Sequence, residues 1–189
     1  MRILANRRRF FSKPSADSPD NAILWQPVAY PSKFKEKETA MFQKLMNTSD
    51  DFVVTLLRLS LGIVFFVHGA QKALGWFGGY GFRGTLGFFT QQMHIPAVLA
   101  VLAIAAEFLG SIGLIVGFLG RVAAFGIATN MTVAVVLIHR HVGFFANWYG
   151  TQKGEGYEYH ILAIVICLAI MIKGSGALSI DRSASRQLG

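Results

Sequence analysis

The stretch Phe52–Leu74, FVVTLLRLSLGIVFFVHGAQKAL, is apolar apart from Arg58, His68, Gln71, Lys72 and two small hydroxyls. As a helix rising 1.5 Å per residue it is long enough to cross a hydrocarbon core of ~30 Å. Charges inside such a span are expensive, so they face a protein interior or a water-filled cavity. At 100° per residue Arg58, His68 and Lys72 fall within 40° steps of one another, on one face that should point into a bundle. This segment sets the fold: an all-α integral membrane protein, whose other helices must cover that face.

Outward from it, the pattern repeats. A second span begins at Pro96, a favourable first helical residue, and runs to about Phe118 with Glu107 as its only charge. Ala106, Gly110, Gly113 and Gly117 form a stripe of small residues for close helix packing. A third span runs from Arg121 to about His141, joined to the second by so short a link that the two form an antiparallel hairpin. The fourth, 159–172, is the shortest, bounded by His160 and Lys173. It spans if Lys173 snorkels and Ala177 and Leu178 contribute, and is otherwise re-entrant or buried. The expected architecture is a four-helix bundle.

Between the first two spans lie six glycines from Gly75 to Gly87, interleaved with Trp76, Phe77, Tyr80 and Phe82 and followed by Phe88 and Phe89. Glycine allows tight turns and aromatic rings favour the headgroup zone, so a folded interfacial loop is expected, with a short helix near 84–93. A second Gly- and aromatic-rich loop covers 142–158.

Composition agrees with membrane insertion. Of 189 residues 53% are hydrophobic and 15% charged, against roughly 45–50% and ~25% in soluble domains. One cysteine excludes a disulfide scaffold and an internal dithiol, and Cys167 sits mid-span as a small hydrophobe. The net charge is +8, and the first 50 residues hold nine of the 18 Lys and Arg. No nucleic-acid-binding module accompanies that charge, so it is read as orienting the spans, and no nucleic-acid partner is expected. Positive flanks stay inside, which places both termini in the cytoplasm. Residues 1–50 form a polar basic tail broken by Pro14, Pro19, Pro27 and Pro31, with a short helix from about Lys33 to Met46. Its Arg8–Lys13 run resembles a twin-arginine signal without the apolar region that should follow. Phe10, Phe11, Trp25 and Tyr30 could dock on a partner subunit or the bilayer. Residues 51–182 form the membrane domain and 183–189 a short tail.

Candidate chemistry lies in the polar groups within the spans. Glu107, near mid-membrane, must be paired or protonated. Arg58 is its expected ion-pair partner, and a proton relay is the functional alternative. The topology sets all five histidines on the outer side: His68, His94, His139, His141 and His160. His68 and His139, deepest and at similar depth, are the pair expected to meet. Neutral imidazole donates and accepts, which suits a quinone headgroup or another small ligand. A metal site drawn from His68, His139, His141 and His160 is the weaker alternative, since no HExxH or cysteine pair supports it. No nucleophile elbow, phosphate loop or covalent cofactor motif occurs.

The run Arg58–Lys72, followed by Gly75-Trp-Phe-Gly-Gly79, resembles the DoxX family of small bacterial membrane proteins. The later pieces follow in order: Gly84-Thr85 with Phe88-Phe89, Ile95-Pro96, Glu107-Phe108 with Gly110, Arg121, His139 with Gly143-Phe144-Phe145, Glu158-Tyr159, Gly174-Ser175-Gly176 and Ser179-Ile180-Asp181. The resemblance covers about 52–182, and a tail as long as 1–50 departs from the usual short member. It implies a four-helix protein of the bacterial inner membrane tied to redox systems. One relative is the membrane subunit of a thiosulfate:quinone oxidoreductase; others accompany superoxide dismutase and a rhodanese-like sulfurtransferase. Arg58, His68, Lys72, Glu107 and His139 match the family's polar positions.

Three functions stay open. The first is a membrane subunit of a quinone-linked or oxidant-handling redox complex, at most a subunit of an oxidoreductase. The second is a non-catalytic accessory subunit of a larger respiratory or photosynthetic complex, contacting other subunits through the 1–50 tail and the small-residue stripe. The third is a small-solute carrier. The lipid bilayer is a partner in all three.

Overall fold

A computed structural model describes residues 32–188, and among these every regular element is helical. The Arg8–Lys13 run and the tail aromatics lie outside the described residues. Spatially the chain divides into two units, Met1–Glu38 and Thr39–Gly189, and the spans and the site belong to the second. Helix α1 covers Ser32–Met46, close to the expected tail helix. It is followed by α2 (Phe52–Leu74), α3 (Gly81–Gly87), α4 (Ala97–Val116), α5 (Gly120–Leu137), α6 (Glu158–Lys173) and α7 (Ile180–Leu188).

The ends of α2 are set chemically. Asp51 caps its first turn, accepting from the amides of Val53 at 2.9 Å and Val54 at 3.4 Å, which satisfies donors that have no helical partner. Gly75, at φ 76°, closes the other end in the left-handed conformation that favours glycine. Between α2 and α4 lie a tight turn at Trp76–Gly78, α3, and a single π turn at Phe88–Gln92. The aromatic loop is therefore folded, as its composition predicts. The α4–α5 hairpin turns in three residues, with Gly117 and Leu119 both at positive φ.

Helices α2, α4 and α5 are long and apolar enough to cross a membrane. The fourth expected span, α6, falls short. Its 16 residues reach about 24 Å by helix rise, less than a ~30 Å core. α2 packs on α4, α4 on α5, α5 on α6, and α6 returns to α2. Their shared core includes Leu61, Phe65, Leu114, Ile127, Met131, Cys167 and Ile170. Outward faces are also apolar: Leu56, Ile63, Leu102, Leu109, Phe125, Leu162 and Val165 are all exposed. Apolar surface on both sides of a helix layer suits hydrocarbon and would drive aggregation in water. The chain is a membrane protein.

Close approach is built on glycine. A Cβ added at Gly69 would stand 2.7 Å from the Phe108 Cα, and one at Gly62 3.0 Å from the Ile115 side chain. These two contacts fix the antiparallel register of α2 against α4. The α4 stripe, expected to serve partner subunits, is instead used within the chain. Ala106 meets Gly126, Gly110 faces Ile127 and Gly113 faces Ala123, all on α5, while Gly117 lies against Ser179 and Arg58.

Candidate functional site

The polar residues of the spans sort into two groups at opposite ends of α2. Arg58, expected to pair with Glu107, does not. Its Nε donates to the carbonyl of Ser175 at 2.8 Å, and its other nitrogens donate to those of Leu114, Ile115 (2.8 Å) and Leu178 (2.6 Å). Leu114 and Ile115 sit in the last turn of α4, whose carbonyls lack helical donors, and a planar cation matches that need in both geometry and dipole. Arg121 does the same for α6, donating to Met171 and Ile172, and also to Asn47. Beside Arg58, buried Asp181 accepts from the amides of Leu119 (2.8 Å) and Gly120 (3.0 Å) and from the Ser175 hydroxyl (2.6 Å). Arg58, Asp181 and the Ser175 hydroxyl are held by the chain itself, while Arg121 Nε is buried there without a partner. This knot is an anchor that ties 174–181 to three helices, and Arg58 does not belong with the other candidates.

At the other end Glu107 finds Lys72. Its Oε2 lies 2.5 Å from Lys72 Nζ, and its Oε1 accepts from Asn130 Nδ2 at 2.7 Å. The register explains the choice. With Gly69 against Phe108, Glu107 lies about two turns from the height of Arg58 and within a lysine's reach of Lys72. Glu107 is almost wholly buried, and Lys72 retains 28% side-chain exposure. A buried carboxylate compensated by a cation and an amide is affordable where a bare one is not.

These groups line a partly open cavity of about 1740 Å³. Its polar lining includes Lys72, Glu107, Asn130, His68, His139 and His160; Leu99, Leu102, Phe125, Val133 and Leu162 belong to its apolar walls. Several of the apolar side chains are also exposed on the outer faces of α4, α5 and α6, so the cavity wall and the outer apolar surface share side chains. Four of the five expected site residues, His68, Lys72, Glu107 and His139, come together here.

The histidines pair differently from expectation. The rings of His139 and His160 are in contact, centroids 4.0 Å apart and planes tilted by 40°, while His68 stays exposed on the cavity wall. Nδ1 of His139 lies 2.8 Å from the carbonyl of Glu155. His160 is buried, and its ring meets the backbone of Gly156. The loop that carries Glu155 is held by carboxylates. Glu158 accepts from the Ala146 amide (2.9 Å) and Trp148 Nε1 (3.0 Å), and Glu155 accepts from the Asn147 amide (2.8 Å). Among the described residues no three His, Cys, Asp or Glu side chains gather as a metal ion would require. His141 is exposed and bonded to its neighbour Arg140.

Asn130 is the cavity residue that charge-led reasoning passes over. A neutral amide in the middle of an apolar helix carries the same burial cost logic as a charge, and that was its signal. The His139–His160 contact had no local signal, because 21 residues and a folded loop separate the two.

The family model described as DoxX matches residues 53–140, from the first turn of α2 to just past His139. "Putative oxidoreductase CatD" of Bacillus subtilis (strain 168) is similar to the chain, 26% identical over 136 residues, which is 72% of this chain and 90% of that protein. No solved structure matches.

Proposed function

We propose, from the match of residues 53–140 to the DoxX family model, that the chain is a membrane subunit of a quinone-linked or oxidant-handling redox complex. The observation that carries this reading is the cavity: apolar walls shared with the bilayer-facing surface, and a polar end built from Lys72, Glu107, Asn130, His68 and His139. That combination suits an amphiphile whose ring sits among polar groups while its tail lies against lipid-facing side chains. The residues present fit a quinone, with imidazoles able to donate or accept and an ammonium to polarise a carbonyl. A bound quinone would supply two-electron chemistry, and the chain would supply orientation, shelter from water and a proton-bearing carboxyl at Glu107. The relative named an oxidoreductase points to the same class. In this reading α6 is the fourth span, shortened because the 142–158 loop dips towards the cavity. The membrane is the bacterial inner membrane, with both termini on the cytoplasmic side.

Purification from the native membrane in mild detergent, with mass spectrometry of what stays bound, tests it. A quinone, dehydrogenase, sulfurtransferase or dismutase travelling with the chain is the expected result. Glu107→Gln is expected to abolish the turnover of that complex while leaving it assembled. Recovery inside a large complex that already contains its own cofactors would instead make the chain an accessory subunit.

A further inference from the structure

At the knot end of the bundle another, smaller cavity of about 420 Å³ opens between the last turns of α1 and α7. Gln43, Lys44, Asn47, Ser185 and Arg186 line it. All five are polar, two are cations and none is a carboxylate. Lys44 and Arg186 are both exposed. A cation in the last turn of a helix offsets that helix's dipole, and one such residue would carry no further meaning. Here the last turns of two helices, far apart in sequence, bring their cations to one opening.

The acidic groups of this end are committed elsewhere. Asp50 pairs with Arg182, Asp51 caps α2, and buried Asp181 accepts from the amides of Leu119 and Gly120. Among the described residues no ion pair reaches Lys44, Arg186 or the exposed Lys173 at the end of α6, and Arg186 feels Asp50 only through space. The Ser185 hydroxyl donates to the Arg182 carbonyl at 3.0 Å. An ammonium, a guanidinium and the Asn47 amide therefore offer donors with no negative charge among them. That is the set that recognises a phosphate.

The height of the cavity points to where the phosphate comes from. Arg121, in the first turn of α5, donates to the carbonyl of Asn47 at 3.0 Å and to that of Ile172 at 3.1 Å. Asn47 thus lies where α5 begins and α6 ends. α5 is long and apolar enough to cross a membrane, so its first turn marks an edge of the hydrocarbon. At this end Met41, Phe42, Ile172 and Leu178 are exposed apolar side chains. Cations at headgroup height beside apolar surface suit a molecule with an anionic head and acyl chains.

We propose that Lys44 and Arg186 form a binding site for the phosphate of an anionic phospholipid, held between the last turns of α1 and α7 at the bilayer surface. The site is separate from the larger cavity, and stands whether or not that cavity takes an amphiphile.

For the test, the full-length protein in a neutral detergent is mixed with equal amounts of dioleoylphosphatidylglycerol and dioleoylphosphatidylcholine, and native mass spectrometry counts the lipid retained. The wild type is expected to keep phosphatidylglycerol over phosphatidylcholine by about tenfold or more, the effect of two cations at a membrane surface. Lys44→Gln with Arg186→Gln, checked for helix content and monodispersity, should bring the two lipids within about twofold. Arg83→Gln with Lys153→Gln makes the same charge change beyond the other end of α2, and should leave the preference intact. If the first double variant does not fold, Lys44→Gln alone carries the comparison, with a loss of about fivefold. No preference in the wild type, or one that survives in the folded variant, overturns the proposal. So does an equal loss in both double variants, which would reveal only the general attraction of a basic protein. Millimolar inorganic phosphate at fixed ionic strength is expected to leave the lipid in place; displacement would give the cations to a free phosphate and overturn the lipid assignment.

Discussion

The Lys72–Glu107 pair is asymmetric, and its two halves should respond differently to mutation. Removing Glu107 leaves a lysine with 28% of its side chain exposed, which can turn outward. Removing Lys72 leaves a buried carboxylate with only an amide for company. Lys72→Met is therefore expected to destabilise by about 3–5 kcal/mol, the scale for an uncompensated buried charge, and Glu107→Gln by about 1 kcal/mol. The double replacement Lys72→Met with Glu107→Leu should recover most of the loss. Denaturant titration in detergent micelles, followed by circular dichroism, measures all three, and equal losses for the two single variants would contradict the asymmetry. Arg58 belongs to another class. Its planar fork meets four carbonyls, so Arg58→Lys, with a single compact ammonium, is expected to lower the yield of folded protein without touching ligand affinity. Sequence alone singled out His68, Lys72, Glu107, His139 and, as a metal candidate, His160, all of which line the cavity, because an ionisable group in an apolar helix advertises its cost. It misassigned the partner of Glu107 because depth was counted along isolated helices. The register between α2 and α4, set by Gly62 and Gly69, decides who meets whom, and glycine leaves no charge or periodicity to read.

At the scale of helices, the boundaries most legible in sequence are those with a chemical stop. α2 begins after Asp51 and ends before Gly75, as its hydropathy predicts. α6 was the least legible. Its apolar run is shorter than a membrane, and only its packing on α5 and α2 shows that it belongs to the core. The glycines of α2 and α4 look alike in sequence and should behave unlike each other. A methyl at Gly69 would collide with the Phe108 backbone, which cannot yield, whereas one at Gly110 finds its nearest atoms at 3.6 Å, an ordinary contact. Gly69→Ala is expected to cost about 1–3 kcal/mol, the range for overpacking. Gly110→Ala should be neutral or slightly stabilising, because a helical alanine is better by up to ~1 kcal/mol than glycine. Thermal unfolding of the two variants side by side checks the contrast. At the edge of the membrane, Arg182 on α7 holds the exposed Asp50 carboxyl below its usual range through a charged hydrogen bond. A lowered folded value means the contribution is present above the ordinary carboxylate range, near pH 4, and is lost as pH falls through the folded value. Acid below that range should loosen α7, read as faster amide exchange at 180–187, and Asp50→Asn should produce the same loosening at neutral pH.

Within the 39–189 unit a knot of helix ends lies at one end of α2 and a polar cavity at the other. Hydropathy disclosed the membrane class and four crossings, of which three, α2, α4 and α5, are long and apolar enough to span. The division of labour between the two ends was hidden, because it depends on where four helix termini converge. Hydrogen exchange is expected to follow that division, with Leu119, Gly120 and Asp181 protected and the 142–158 loop exchanging first. The knot also has a consequence in time. Arg58 lies 56 residues ahead of Leu114, and 117 and 120 ahead of Ser175 and Leu178. At 5–20 residues per second the ribosome takes roughly 6–24 s to supply the last of these partners. For that interval a guanidinium belonging to the first crossing has no completed cage, and must wait at the membrane surface or against other carbonyls. A chain halted before Ser175 never finishes the cage, so the nascent protein carries its own mark of incompleteness until its final turn is made.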